Sequence, residues 1–279
     1  MEECFEKEEA NNFKTIVITG SSRGLGYEMA KKFFLSGWNV VINGLNPERL
    51  QSSLDNLRKL ESISRVESYV GNVSTEKEIQ GLVDFTVKKF KKIDIWINNA
   101  GINQPPKPIW ELNEEEIDSI LNTNLKGTII GTRLATIQMQ KQPNGGYIYN
   151  MEGFGSNDYM LLGYNMYGTS KRAVTHFTQA YAKELEEKKS KVKIGRLSPG
   201  VVITDFLVKP LGGEKEIQLT EKEKNFYNIV GDYPDVVAEY LVDSMIINTT
   251  NNAHIEYLTK SLIGWRFLTS WFYKRNFFK

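Results

Sequence analysis

The sequence predicts an α/β protein, a single doubly wound domain built around a parallel sheet of about seven strands. Three observations carry that reading. Short β-branched runs alternate with long helical patterns, the spacing that parallel crossover connections need. The runs are nearly continuous Ile and Val, as in strands covered on both faces. The first run leads directly into a glycine-rich turn, Gly20 to Gly26, and then into a helical pattern.

Each element follows from its own pattern. Residues 15–19 are a β-branched run, and Tyr27, Met29, Ala30, Phe33 and Phe34 then recur at helical spacing. Strands are expected at 39–43, 66–70 and 93–97, separated by helices at 47–60 and 75–90. A helical stretch at 114–140 precedes a strand at 147–150. A helix at 166–187, a strand at 192–197, a helix at 234–247 and a last strand at 255–258 complete the order. Gly/Pro-rich breaks at 103–108, 143–146 and 199–213 fall at strand ends or crossing loops, and strand carboxyl ends are where a doubly wound fold gathers its ligands. No repeat or linker divides the chain. One domain over residues 13–260 is expected, between a flexible acidic extension at 1–12 and an aromatic and basic tail at 261–279.

The 35 basic and 34 acidic side chains nearly cancel, which argues against a nucleic-acid partner. One cysteine, Cys4, cannot form an intrachain disulfide and suits a reducing compartment. His176 and His254 read as core or interface residues, and no metal is expected. Residues 1–12 have neither the apolar stretch of a secretory signal nor the arginines of a transit peptide. No run reaches the ~18 apolar residues that span a bilayer. The expectation is a cytoplasmic protein, at most peripheral at a membrane.

Four motifs carry chemistry. Gly20, Gly24 and Gly26 lie between the first strand and the first helix, where missing side chains let the backbone approach a pyrophosphate at a helix N-terminus. Asn98-Asn-Ala-Gly101 closes the fourth strand, and Pro199-Gly200 with Thr204 follows the sixth. Between them stands Tyr167-Gly-Thr-Ser-Lys171, whose ends share one helix face. On spacing alone this last pair also fits an ordinary exposed pair on a helix.

Together the motifs resemble the short-chain dehydrogenase/reductase family over about residues 13–260. The resemblance implies a Rossmann-type domain and a nicotinamide cofactor. It makes Tyr167 the general acid toward a carbonyl oxygen, or the base in reverse. Lys171 would lower the phenol from its ordinary ~10 and hold the nicotinamide ribose. Asn124 corresponds to an asparagine that kinks its helix and positions a water in the proton relay. The implied cofactor-binding set is Gly20, Ser22, Arg23, Gly24, Leu25, Gly26, Asn72, Val73, Asn98, Ala100, Gly101, Tyr167, Lys171, Pro199, Gly200, Val202 and Thr204. The serine usual 12 or 13 residues before the tyrosine is missing, since Gly155 and Phe154 stand there. Ser156 is the nearest candidate to hold the substrate oxygen, and a plain loop serine is the other reading.

The stretch Asn150-Met-Glu-Gly-Phe-Gly-Ser156 narrows the resemblance to the chlorophyll(ide) b reductase branch, which implies reduction of a formyl group on a large tetrapyrrole. No carboxylate stands at Gly44 to bind a ribose 2′-hydroxyl, and Arg23 suits a 2′-phosphate, although Leu45 replaces a second arginine. NADP(H) is favoured over NAD(H). Residues 205–232 are expected to form a substrate lid lined by Phe206, Leu207, Val208 and Phe226, which suits a bulky apolar carbonyl or alcohol substrate; a surface loop on its own core would look similar. The tail suits a membrane interface, a dimer contact or a cover over the cleft. A homodimer or homotetramer is implied. Two competing classes remain, a cofactor-binding pseudoenzyme or scaffold that lost the usual serine and a peripheral membrane adaptor.

Overall fold

The computed structural model describes residues 13–213 and 216–278; the acidic extension expected at 1–12 lies outside them. Among the described residues seven strands form one parallel sheet: β1 (Thr15–Ile18), β2 (Asn39–Gly44), β3 (Val66–Val70), β4 (Ile95–Asn98), β5 (Gly146–Met151), β6 (Val192–Ser198) and β7 (Ala253–Glu256). Their spatial order is β3-β2-β1-β4-β5-β6-β7, so the order reverses between β1 and β4.

Alternation along each strand feeds two cores. Ile16, Ile18, Val40 and Ile42 pack beneath α1 (Gly24–Leu35), α2 (Pro47–Arg58) and a helix near the C-terminus, with Phe33, Leu54 and Leu241 among their neighbours. Val17, Val41 and Ile148 point the other way, toward α3 (Glu76–Phe90) and the helices that follow it, where Leu82, Leu134 and Leu185 cover them. A sheet buried on both faces needs continuous apolar strands, and that is what these segments supply.

The helical stretch expected at 114–140 is divided. α4 (Glu114–Ile120), opened by a reciprocal cap between Asn113 and Glu116, runs into one π-helical segment, Leu121–Lys126, and then into α5 (Gly127–Met139). The chain continues through α6 (Asn165–Glu187), the short α7 (Asp205–Val208), α8 (Glu221–Val230), α9 (Pro234–Ile247) and α10 (Lys260–Thr269).

Two strand expectations shift. The fourth strand starts at Ile95 rather than 93, because the Ile93 backbone is paired with the Gln142 side chain through bonds of 2.9 and 2.8 Å. The last strand is Ala253–Glu256 rather than 255–258: Gly195 pairs with Ala253, and Thr259 caps the first turn of α10, so residues 257–258 become the approach to a helix.

Candidate active site

The carboxyl ends of β1 and β4 flank the reversal of strand order and open onto a cleft of about 1150 Å³. Gly20 leaves β1 at φ 62°, and a Cβ there would lie 2.7 Å from the Ala100 Cα, so only glycine lets these two segments touch. Asn99 ties them together, donating to the carbonyls of Thr19 and Gly20 at 2.8 and 3.0 Å. α1 then starts with no side chain capping its first turn and no acid within it. Gly24, Leu25 and Gly26 line the cleft there, which presents free N–H groups and the positive end of a helix.

Most of the residues expected around a dinucleotide meet here. Ser22 and Arg23 line the cleft from the glycine turn, Asn72 and Val73 from beyond β3, Ala100 and Gly101 from beyond β4, and Pro199, Gly200, Val202 and Thr204 from beyond β6. Asn98 does not. Its side chain is buried between Trp96, Thr132 and Asn150, at 2.7, 3.1 and 2.8 Å, because the last residue of a strand points into the protein and the next one turns out. Asn99 takes the lining position. Asn72 uses its side-chain oxygen to accept from the Ser74 amide at 2.9 Å. Arg49, which the sequence reading passed over, lines the same end of the cleft from the first turn of α2. Its signal was its place three residues after the capping Asn46.

At the other end stand Tyr167 and Lys171. α6 has no cap of its own; Gln104, fully buried, accepts from the Met166 and Tyr167 amides at 2.8 and 3.1 Å and donates to the Gly163 carbonyl at 2.7 Å. That borrowed cap fixes the start of the helix and the place of Tyr167. Tyr167 and Lys171 are both buried yet line the cleft. The Lys171 Nζ donates to the Met151 carbonyl at 3.0 Å and lies 5.8 Å from the Tyr167 ring centroid. Gly153 packs against both, since a Cβ on it would lie 2.2 Å from the Tyr167 hydroxyl and 3.3 Å from the Lys171 Cε.

Burial sets the protonation of the pair. It raises the Tyr167 phenol well above its ordinary value, and the lowering expected from Lys171 does not accompany it. Burial also pushes Lys171 down to about 8, against the opposing charge of Glu152.

Asn124 sits fully buried in the π-helical segment. Its oxygen accepts from the Ile102 amide at 2.8 Å, and its amide donates to the Ile102 carbonyl at 3.0 Å and to the Ser170 hydroxyl at 3.2 Å. The side chain thus clamps the loop after β4 to α6. Ser156 does not line the cleft. Its hydroxyl accepts from the Gly153 amide at 3.0 Å, closing a tight turn at the glycine that packs against Tyr167. Over the cleft, Phe206 lies 5.9 Å from the Tyr167 ring, and Leu207 and Phe226 join the lining; Val208 does not, its carbonyl being paired with the Ile217 amide.

A glycine turn at a strand-order reversal and a buried Tyr/Lys pair fit the family model described as short chain dehydrogenase, which matches residues 14–211. The chain belongs to the short-chain dehydrogenase family. This oxidoreductase is 38% identical over 250 residues to a chloroplastic chlorophyll(ide) b reductase of Oryza sativa subsp. japonica, a match covering 88% of this chain and 71% of that one. It is 33% identical over 280 residues to a probable chloroplastic chlorophyll(ide) b reductase of Arabidopsis thaliana, spanning 95% of this chain and only 54% of that one. Among solved structures, an alcohol dehydrogenase from the archaeon Thermococcus sibiricus, complexed with 5-hydroxy-NADP, superposes with a TM-score of 0.74 at 21% identity. That alignment covers 88% of this chain and 96% of the archaeal one, and it establishes the shared fold.

Proposed function

We propose that this short-chain dehydrogenase uses NADP(H), in preference to NAD(H), to reduce a carbonyl group of a bulky apolar molecule, with a formyl group on a tetrapyrrole as the first candidate. The observation that carries the reading is Tyr167 and Lys171, buried at one end of a cleft whose other end is the uncapped N-terminus of α1. The cleft residues suit a nicotinamide dinucleotide: Gly24, Leu25 and Gly26 bring the uncapped N-terminus of α1 to the cleft wall, where a phosphate can accept from its N–H groups. No carboxylate stands at Gly44, where a Cβ would already lie 3.0 Å from the Ser22 hydroxyl, and Arg49 lines the cleft as a cation for a 2′-phosphate, whereas the Arg23 guanidinium is ion-paired with Asp205 at 3.2 Å.

When bound, the cofactor supplies hydride to the carbonyl carbon. The protein's part is the proton. Burial keeps the Tyr167 phenol protonated near neutrality, the form that can donate to a carbonyl oxygen gaining negative charge. Lys171, as an ammonium beside that ring, stabilises the phenolate left behind. Asn124 and Ser156 act through others in this reading: Asn124 holds Ile102 and Ser170 in place, and Ser156 shapes the turn that brings Gly153 against Tyr167. Phe206 and the lid residues around it exclude water from the transfer and favour an apolar substrate.

A cofactor-binding protein without turnover is the second reading, favoured by the engagement of the Ser156 hydroxyl with the Gly153 amide. A screen of NADPH consumption over aldehydes and ketones of graded size, formylated tetrapyrroles included, separates the two. Turnover rising with substrate size supports the reductase; tight NADPH binding with no turnover on any carbonyl supports the alternative.

Trp265, Leu268, Trp271 and Phe272 are 64%, 76%, 83% and 80% exposed, which suits peripheral contact with a membrane through the C-terminal segment. Among the described residues no helix is long and apolar enough to cross one. A dimer or tetramer would form through the helices that carry Asn124 and Tyr167. The cytoplasmic location expected from composition competes with the chloroplastic names of the relatives, and cell fractionation decides between them.

A further inference from the structure

Glu152 is a charged side chain that the proton chemistry above does not use. It is 4% exposed, it lines the cleft, and it belongs to the segment wrapped around the head of Lys171. The residue before it, Met151, accepts from the Lys171 Nζ at 3.0 Å, and the residue after it, Gly153, packs against the Tyr167 hydroxyl and the Lys171 Cε. One carboxylate oxygen of Glu152 accepts from the Thr175 hydroxyl at 2.8 Å and from Arg196 at 3.1 Å; the other lies 2.9 Å from the His254 Nε2. Thr175 is one helical turn beyond Lys171 and bonds the Lys171 carbonyl at 3.2 Å as well. α6, β6 and β7 each contribute one group to this carboxylate, and none of them is another acid.

We propose that Glu152 is a positioning residue for the reaction, the counter-charge that keeps the Lys171 side chain in its ammonium form behind Tyr167. This rests on the reductase reading of the same site. A lysine buried this deeply is driven toward its neutral form, and a neutral amine cannot stabilise a tyrosine phenolate. Burial alone would also raise the Glu152 carboxyl, but the hydrogen bonds from His254 and Thr175 and the charges of His254 and Arg196 outweigh it and hold the group below the usual carboxylate range. Glu152 is therefore an anion at neutral pH, and its charge opposes the effect of burial on Lys171. Thr175, Arg196 and His254 hold it in place.

Two readouts test this together. In the full-length chain labelled with 13Cε-lysine, with the Lys171 resonance assigned by Lys171→Arg, the titration midpoint of Lys171 is compared between wild type, Glu152→Gln and Glu152→Asp. The alkaline limb of the NADPH-dependent carbonyl reduction is measured alongside. Loss of a neighbouring opposite charge is expected to lower the midpoint, and the limb with it, by about 1 pH unit or more, and Glu152→Asp is expected to restore most of that shift. An unmoved midpoint in Glu152→Gln overturns the proposal, whatever happens to the rate. A moved midpoint in a chain that reduces no carbonyl leaves the electrostatic role standing and removes the reductase reading. Should Glu152→Gln unfold because Arg196 loses its counter-charge, the comparison is made in the Arg196→Gln background, where adding Glu152→Gln is again expected to lower the midpoint relative to Arg196→Gln alone and an unmoved midpoint between the two is again fatal.

Discussion

Replacing Gly153 with alanine aims a methyl group at the proposed acid. The added Cβ would lie 2.2 Å from the Tyr167 hydroxyl and 3.1 Å from the Cζ behind it. Ordinary contact needs about 3.5 Å, so the hydroxyl, or the 153 backbone, has to move by roughly 1 Å. An exposed tyrosine would swing aside at little cost. Tyr167 cannot, because it is buried, its amide is held by Gln104, and Phe206 packs on its ring. A misplacement of about 1 Å in a proton donor costs on the order of 10²-fold in rate, or about 2.7 kcal/mol of barrier. The assay is kcat for NADPH-dependent carbonyl reduction, with NADPH affinity by fluorescence and Tm as controls. The expected result is a kcat about 10²-fold lower in a folded protein that still binds NADPH. Wild-type kcat in Gly153→Ala would refute the placement of Tyr167.

Further outcomes follow from the same geometry. Lys171 deprotonates from about 8 in the folded chain, below the ordinary lysine range, so its ammonium is present below that pH and lost above it. The reduction rate should be flat near pH 7 and fall as pH rises through about 8; a rate constant to pH 10 would contradict this. Arg49→Ala should weaken NADPH binding by about 10-fold while leaving NADH nearly untouched, as loss of a hydrogen bond to a charged group requires. Equal loss for both cofactors would move the 2′-phosphate elsewhere. Gln104→Ala leaves two amides at the start of α6 and the Gly163 carbonyl without partners, and should destabilise the fold by about 2 kcal/mol by denaturant titration. Stability equal to wild type would show that α6 does not depend on this cap.

The fold was largely legible, and the reason is periodicity. Strands buried on both faces carry unbroken Ile and Val, and the helices between them carry a 3.6-residue pattern, so the order of elements could be read directly. The misses share a cause. Ile93 looks like strand, but its backbone is claimed by the Gln142 side chain, remote in sequence; at the other end Tyr257 still donates to the Ser198 carbonyl of β6 before the chain turns into the Thr259 cap of the next helix. In the site, motif residues next to glycines were legible because close backbone approach restricts residue type. Asn98 and Asn99 could not be told apart by type; which of the two faces the cleft depends on where β4 ends. Glu152 lies within the stretch that narrows the resemblance, with no role implied for it, and Gln104 and Arg49 carry no motif; the roles of all three arise from partners that only the folded chain brings near. Ser156 is the nearest hydroxyl along the chain and the serine of the stretch that narrows the resemblance, whereas the tight turn at Gly153 decides what its hydroxyl bonds.

The most direct test of the account is a single-turnover measurement of NADPH oxidation by the Tyr167→Phe protein, with a carbonyl substrate that the wild type reduces. Removing only the phenolic oxygen should leave NADPH binding near wild type and slow the oxidation step by about 10²-fold or more. Oxidation at the wild-type rate in Tyr167→Phe would contradict the claim that this buried phenol delivers the proton.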